Sequence, residues 1–279
     1  MRAVSLHRDV IVVTSQLFQA HCTIVRAPGA AQAGDGEQAG TGQAPSAEAF
    51  AIDSPVLPEE LALLSTLVGQ AGFPVPRGLL ATHADWDHLL GPLAFAEATL
   101  GCAESSAARL HAQPGAAQRE LRRFDEELHI ERPRPLSLGS LQALAVPGRC
   151  DIGDAELELH PATGHTADGM AVWISWARVL VAGDYLSPVE LPMLGETEGG
   201  GMLDAYLATL ERLRPLVRAA EHVVPGHGPV IDGPGALRVL DEDAAYLRDL
   251  SVRGAEAELP QGRRSQVQRE LHAQNTERV

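Results

Sequence analysis

One short segment constrains this chain more than any other. Residues 82–88 read Thr-His-Ala-Asp-Trp-Asp-His, which places four potential metal ligands within six positions, directly after an apolar run. Residues two apart on an extended segment point the same way, so His83 and Asp85 can meet one ion while the chain turns Asp87 and His88 toward another. An ordinary surface loop can also carry such a cluster, so partner segments must decide between the two interpretations.

Three further segments carry one ligand-type residue each. His165 lies in Ala-Thr-Gly-His-Thr, Asp184 ends Val-Ala-Gly-Asp, and His227 lies in Pro-Gly-His-Gly-Pro. Each residue stands where a predicted strand ends, next to glycine that permits a tight turn. The four segments are therefore expected to meet at one end of a sheet, where open α/β architectures usually bind ligands.

In order and spacing, these segments resemble the metallo-β-lactamase superfamily, whose pattern is HxHxDH, then GHT, then a strand-ending Asp, then GHG. The separations from His88 to His165, on to Asp184 and on to His227 are 77, 19 and 43 residues. They are similar to those of glyoxalase II-type members, and the similarity spans nearly the whole chain. The resemblance implies an α/β (α+β) fold, a four-layer αββα sandwich with metals at one edge of two mixed sheets.

The resemblance also implies a binuclear metal centre. It implies seven metal ligands: His83, Asp85 and His165 for the first ion, Asp87, His88 and His227 for the second, and Asp184 as the bridge. The implied cofactors are two divalent metal ions, with Zn favoured by imidazole and carboxylate ligands. Asp87 is the expected catalytic residue, since it would orient a metal-bound hydroxide and relay its proton.

The chain departs from the family pattern at Asp85, where most members have His. A carboxylate is a harder ligand than an imidazole, so Fe or Mn becomes an alternative to Zn. The flavodiiron relatives resemble this chain in using a carboxylate here, and they bind two irons. Those relatives commonly carry a flavodoxin-like domain and usually lack a His after the Asp, whereas His88 is present here and we find no such domain.

The favoured function is a metallo-hydrolase that cleaves an ester-like bond in a small molecule, with a thioester or lactone ahead of a phosphodiester. Asp85 keeps a second class open, a non-haem iron redox protein related to flavodiiron or persulfide-oxidising members. The third alternative is a non-catalytic metal- or ligand-binding module. Tyr185 is a candidate substrate-binding residue, because its hydroxyl could donate to a developing oxyanion; a packed aromatic side chain is the other interpretation.

Composition narrows the partners and the compartment. The formal net charge is −15 and all 22 basic residues are arginines, so a negative surface disfavours nucleic acid and anionic membranes. A small-molecule substrate is the expected partner, and the oligomeric state is left open. Cys22, Cys102 and Cys150 have no close pair, which indicates a reducing cytoplasm. The apolar run 10–13 is too short for a signal sequence or a membrane span.

The patterns predict a domain over residues 1–232 and a C-terminal helical extension over 233–279 that packs on it, with about the last 25 residues frayed. Within the domain, the Gly- and Ala-rich segment 28–47 is expected to be a flexible insertion. Residues 105–135 are expected to be a helical insert, either solvated or a lid over the site. Other helices are predicted at 58–67, 88–100, 203–218 and from 234 onward, and strands at 10–26, 49–52, 75–82, 156–160, 170–182 and 223–231.

Overall fold

A computed structural model describes residues 1–29, 48–197 and 200–279. The insertion predicted at 28–47 therefore lies, from residue 30 on, outside the described residues. None of the helices in the described part of the chain is both long and apolar enough to cross a membrane.

The N-terminal half of the chain forms a seven-stranded sheet with helices on its outer face. The strands are β1 (Arg2–His7), β2 (Val10–Thr14), β3 (His21–Arg26), β4 (Ala49–Ile52), β5 (Gly78–Ala81), β6 (Thr99–Ala103) and β7 (Leu141–Leu144). They lie side by side in this order, antiparallel from β1 to β4 and parallel from β4 to β7. The helices are α1 (Pro58–Gln70), α2 (Gly91–Ala94), α3 (Glu104–Ala112) and α4 (Ala116–Leu128).

The C-terminal half forms a second, six-stranded sheet. The strands of this half are β8 (Gly148–Ile152), β9 (Ala155–Pro161), β10 (Met170–Ile174), β11 (Val179–Gly183), β12 (Glu196–Thr197), β13 (Gly200–Gly201), β14 (His222–Pro225) and β15 (Ile231–Asp232). Of these, β12 and β13 pair only with each other, in a separate two-stranded ribbon. The order in this sheet is β15-β14-β11-β10-β9-β8, and among its own described strands only β11 and β14 pair in parallel. The helices are α5 (Leu203–Ala219), α6 (Gly233–Arg253) and α7 (Gln266–Glu277).

The two sheets pack face to face, and the central strands bury both of their faces. In β2, Val10 and Val12 face the other sheet, whereas Ile11 and Val13 pack beneath the helices of the first half. Because successive strand residues point to opposite faces and both faces are covered, such strands read as unbroken apolar runs. The result is the predicted αββα sandwich, with α5 and α6 forming the outer layer over the second sheet.

Two expectations from the sequence are wrong. Residues 88–100 form no single helix: a 3-10 turn at Trp86–His88 and the four-residue α2 precede β6, because pairing with β5 extends the chain from Thr99. The last residues do not fray but form α7, capped by the hydroxyl of Ser265, which accepts from the N–H of Gln268. The domain boundary at residue 232 stays a prediction.

Candidate metal centre

The seven predicted ligands meet at one edge of the sandwich, where strands from both sheets end. They come from four connections: His83, Asp85, Asp87 and His88 after β5, His165 between β9 and β10, Asp184 after β11, and His227 after β14. The parallel pairing of β11 with β14 brings the exits of those two strands side by side. The convergence that the sequence predicted for these segments is therefore present in the folded chain.

A first group joins His83, Asp85 and His165, whose ligand atoms all lie within 4.8 Å of one another. Oδ2 of Asp85 is 3.6 Å from Nε2 of His83. The same oxygen is 3.5 Å from Nε2 of His165. The carboxylate thus occupies the position that an imidazole has in the family pattern, and it faces the same point in space.

A second group joins Asp87, His88 and His227, again within 4.8 Å. Oδ2 of Asp87 lies 3.3 Å from Nε2 of His227 and 3.8 Å from Nε2 of His88. Both histidine side chains are more than nine-tenths buried. The group is therefore largely buried and is not a surface cluster.

Asp184 lies between the two groups. Its Oδ2 is 3.3 Å from Nε2 of His165 and 3.4 Å from Nε2 of His227, while its Oδ1 is 3.2 Å from Nε2 of His88. One carboxylate thus contacts imidazoles of both groups, which is the arrangement of a bridging ligand. The geometry accommodates two ions that share Asp184.

The residues fit metal ions by an observation that is independent of the family pattern. Nε2 of His83, His88 and His165, and Oδ1 of Asp184, are buried and have no hydrogen-bond partner among the described residues. A buried polar atom left without a partner costs about 1–3 kcal/mol, so several such atoms aimed at one point require an explanation. Divalent metal ions would supply the missing partners.

Each imidazole of the centre also has an oxygen close to its other nitrogen. The Nδ1 contacts are Thr82 Oγ1 at 3.2 Å for His83, Asp53 Oδ2 at 3.1 Å for His88, the Met193 carbonyl at 3.2 Å for His165 and the Phe18 carbonyl at 3.3 Å for His227. When Nδ1–H donates to such an oxygen, the lone pair remains on Nε2. The surroundings therefore prepare all four imidazoles as Nε2 ligands.

Asp53 is a functional residue that the motif comparison missed. It follows β4 and has a left-handed backbone (φ 56°), and its carboxylate accepts the N–H of Thr82 at 2.8 Å and the hydroxyl of Thr82 at 2.9 Å. It thereby ties β4 to the segment with the first four ligands and orients His88. The one signal in the sequence was an Asp directly after an apolar strand that ends at the same edge.

The glycines next to the ligands are required by close approach. A Cβ on Gly226 would lie 2.0 Å from Oδ1 of Asp184, inside the metal centre. Gly164 has φ 129°, and a Cβ there would lie 2.3 Å from the Cα of Tyr206. The glycines of the Gly-His pairs therefore stand where a larger residue would collide with a side chain of the centre, at Gly226, or with neighbouring backbone, at Gly164.

The charged groups of the centre shift one another's pKa. Burial lowers the pKa of His88 and His227, but nearby carboxylates, above all Asp184, raise it well above the ordinary value. Burial raises the pKa of Asp184, yet the same two imidazoles hold it well below its usual range. The site is thus built to stabilise positive charge, whether protons or metal ions carry it.

A cavity of about 440 Å³ opens over the centre. One wall consists of Phe18 and Trp86, whose rings form a cluster with Phe124 of α4. The opposite wall is the pocket loop, residues 186–195, together with side chains of α7 such as Leu271. The helical insert therefore reaches the rim of the cavity, and its role as a lid stays a prediction.

The pocket loop is held by side chains of the C-terminal segment. Gln268 and Asn275 of α7 accept from the backbone N–H groups of Leu191 and Leu194, at 2.6 and 2.9 Å. Arg263 is 1% exposed and donates to the carbonyl oxygen of Glu190 at 2.9 Å. These polar side chains are buried because backbone groups of the loop satisfy them, which explains why a polar segment is ordered here.

Tyr185 lies behind the ligands. It is 3% exposed, its ring lies 4.5 Å from that of Tyr206, and its hydroxyl accepts the backbone N–H of His165 at 3.1 Å. Among the described residues that line the cavity, Tyr206 is present and Tyr185 is absent. The substrate-binding role predicted for Tyr185 is therefore not retained; the residue packs in the core and positions the loop of His165.

Comparison with known proteins gives a consistent result. The family model described as "Metallo-beta-lactamase superfamily" matches residues 58–227, more than half of the chain. The chain is 37% identical over 82 residues to a "Beta-lactamase-like protein 2 homolog" of Caenorhabditis elegans, a match that covers 29% of this chain and 25% of that protein. It is 31% identical over 109 residues to a "Metallo-beta-lactamase type 2" of Bacillus sp. (strain 170), covering 37% of this chain and 39% of that protein.

The matched segments therefore span well under two thirds of either relative. Among solved structures, a metallo-beta-lactamase family protein of Thermus thermophilus superposes with a TM-score of 0.64 at 18% identity, covering 90% of this chain and 83% of that one. At this level of identity the likeness concerns the fold alone.

Proposed function

The chain belongs to the metallo-beta-lactamase superfamily, and from that membership we propose that it is a binuclear metal-dependent hydrolase that cleaves an ester-like bond in a small molecule. The observation that carries the proposal is the convergence of buried, unpartnered Nε2 atoms from His83, His88 and His165 on the carboxylate of Asp184. A structural cluster would have paired these atoms with protein groups. Metal ions explain why they are left free.

The residues of the metal centre would have different roles in hydrolysis. Divalent ions, when bound, lower the pKa of water toward neutrality and polarise the acyl oxygen of a substrate. His83, Asp85 and His165 would hold one ion, and Asp87, His88 and His227 the other, with Asp184 contacting both. Asp87 also lines the cavity, so its carboxylate is placed to orient the attacking water and to take up its proton.

The cavity favours an uncharged substrate. No arginine lies among the described residues that line it, whereas Glu190 and Glu270 do, along with apolar side chains such as Leu191 and Met193. Apart from the metal ions, no cationic side chain among these residues would offset the repulsion that the carboxylates exert on an anionic substrate. A thioester or lactone is therefore proposed ahead of a phosphodiester.

A second candidate function follows from Asp85. Two imidazoles and one carboxylate facing a shared point form the ligand set typical of non-haem iron. Iron in the first position, with a redox reaction of the flavodiiron or persulfide-oxidising kind, is the alternative to hydrolysis. Zinc is proposed for the hydrolase, iron for the redox protein.

The deciding experiment measures metal identity and stoichiometry, then assays thioester, lactone, phosphodiester and β-lactam substrates alongside O2 consumption. For the hydrolase, two ions per chain are expected, and Asp87→Asn should lower kcat by about 10²–10⁴. The matched control is Asp154→Asn, since Asp154 is exposed in the turn between β8 and β9. Equal rates for both variants would refute the role of Asp87, and bound metal without turnover of any substrate would favour a binding module.

A further inference from the structure

We infer that Arg109 positions Asp85 as a one-oxygen ligand of the first metal, so that Asp85 and Arg109 together replace the imidazole that the family pattern has at this position. The inference rests on the proposed metal centre. It gives a function to the α3 part of the helical insert, which contributes no ligand of its own.

The two oxygens of Asp85 are used differently. Nη2 of Arg109 lies 2.7 Å from Oδ1 of Asp85, whereas Oδ2 of Asp85 faces the Nε2 atoms of His83 and His165 at 3.6 and 3.5 Å. An unrestrained carboxylate can rotate or bind an ion through both oxygens. With Oδ1 held by a guanidinium, Oδ2 is the oxygen that remains for the metal.

Arg109 is in turn held in place by Asp168. Its Nη1 lies 2.9 Å from Oδ1 of Asp168, which is 2% exposed. Oδ2 of Asp168 accepts the N–H of Ala84 at 2.9 Å and the hydroxyl of Ser106 at 2.7 Å. The guanidinium therefore bridges two carboxylates, and Asp168 ties both α3 and the ligand segment to the same point.

The charges support the same assignment. Exchanging a neutral imidazole for a carboxylate adds one negative charge to the first group of ligands. Arg109 places one positive charge at hydrogen-bond distance from Oδ1 of Asp85, the oxygen that faces away from the other ligands. Because Arg keeps its charge at any pH that proteins tolerate and offers a planar fork, it holds Asp85 and Asp168 through two separate nitrogens, whereas a lysine has a single nitrogen.

The test is a double-mutant cycle with Arg109→Ala, Asp85→His and the combination. Each protein is dialysed against a free Zn²⁺ concentration that just saturates the unmodified chain, and bound zinc is counted by inductively coupled plasma mass spectrometry. Removing a group that orients a metal ligand typically weakens metal binding about 10–100-fold. Arg109→Ala should therefore weaken the first site about 10–100-fold and lose between about half and nearly all of one of the two ions.

The decisive comparison is in the Asp85→His background, where an imidazole needs no guanidinium. There, Arg109→Ala should cause no further loss of zinc. Arg109→Lys, which keeps the charge but not the fork, should fall between Ala and the unmodified chain, and it also serves if the alanine variant does not fold. Arg123→Ala is the matched control, since Arg123 is an exposed arginine of the same insert.

Three results would overturn the inference. Two tightly bound ions in Arg109→Ala would show that Asp85 needs no positioning. Equal zinc loss in both backgrounds, with an equal drop in the Tm of the metal-free protein, would reduce Arg109 to a structural anchor for α3. An unmodified chain that binds no zinc, iron or manganese would refute the metal centre itself, so the two failures are distinguishable.

Discussion

Oδ1 of Asn275 accepts the backbone N–H of Leu194 at 2.9 Å, across 81 residues of sequence. Nδ2 of the same side chain donates to the carbonyl oxygen of Pro192 at 2.6 Å. The carbonyl of Met193, between those two residues, contacts Nδ1 of the ligand His165. The C-terminal helix is thereby connected to the metal centre through one turn of the pocket loop.

Asn275→Ala should lower the free energy of unfolding by about 1–3 kcal/mol, because it leaves backbone groups of Leu194 and Pro192 buried without partners. It should also raise KM for any substrate, since the pocket loop forms a cavity wall. Urea denaturation and steady-state kinetics measure the two effects. Gln266→Ala, on the exposed face of the same helix, is the control and should stay within about 0.5 kcal/mol.

The buried ion pair of Arg263 with Asp243 leads to a second prediction. Their side chains are 1% and 2% exposed, so removing one leaves an uncompensated charge inside the protein. Arg263→Met should destabilise by about 3–5 kcal/mol, and Arg263→Met with Asp243→Leu should recover part of that loss. Thermal and chemical denaturation measure the stability of both variants. A double variant that is no more stable than the single one would contradict the prediction.

Gly226 supplies a steric test of the centre. Gly226→Ala directs a methyl group at Oδ1 of Asp184, so Asp184 or His227 must move. We expect a loss of bound metal together with a destabilisation of about 1–3 kcal/mol, as for other overpacked sites. Gly262→Ala is the matched control, because a Cβ at Gly262 meets no atom within 4 Å. Full metal content in Gly226→Ala would mean that Asp184 does not bridge the two groups.

Metal affinity should rise with pH through the neutral range. Burial lowers the pKa of His88 and His227, but the carboxylates, Asp184 first, raise it well above the ordinary value in the metal-free protein. A protonated imidazole has no lone pair for a metal, so binding must release those protons, and lowering the pH favours the protonated, metal-free form. The apparent affinity should change by about tenfold per pH unit for each proton released.

Calorimetric titration of zinc in two buffers of different ionisation enthalpy counts the released protons. Chelator competition between about pH 6 and 8, the range in which histidine charge changes, measures the affinity itself. The same binding constant throughout that range, without proton release, would show that the imidazoles are already neutral.

The sandwich, and the residues that meet at the candidate metal centre, can be predicted from the sequence for a local reason. His83, His165, Asp184 and His227 each stand at a strand exit beside turn residues, and a strand covered on both faces reads as an unbroken apolar run. Each of these sequence patterns lies within a few neighbouring residues. The position of Tyr185 could not be predicted in this way. Its ring lies in the core and not in the cavity wall, because the burial of an aromatic ring depends on its neighbours in space.

Which groups support the proposed ligands depends on contacts between distant parts of the chain. Asp53 contacts His88 from 35 residues away, Arg109 contacts Asp85 from another helix, and Asn275 reaches the pocket loop from the far end of the chain. The polar residues near the C-terminus looked solvent-exposed in the sequence, where polarity usually means exposure. In the fold, Arg263, Gln268 and Asn275 among them are buried, because distant groups satisfy their hydrogen bonds. A pairing made across the fold leaves no local pattern in the sequence.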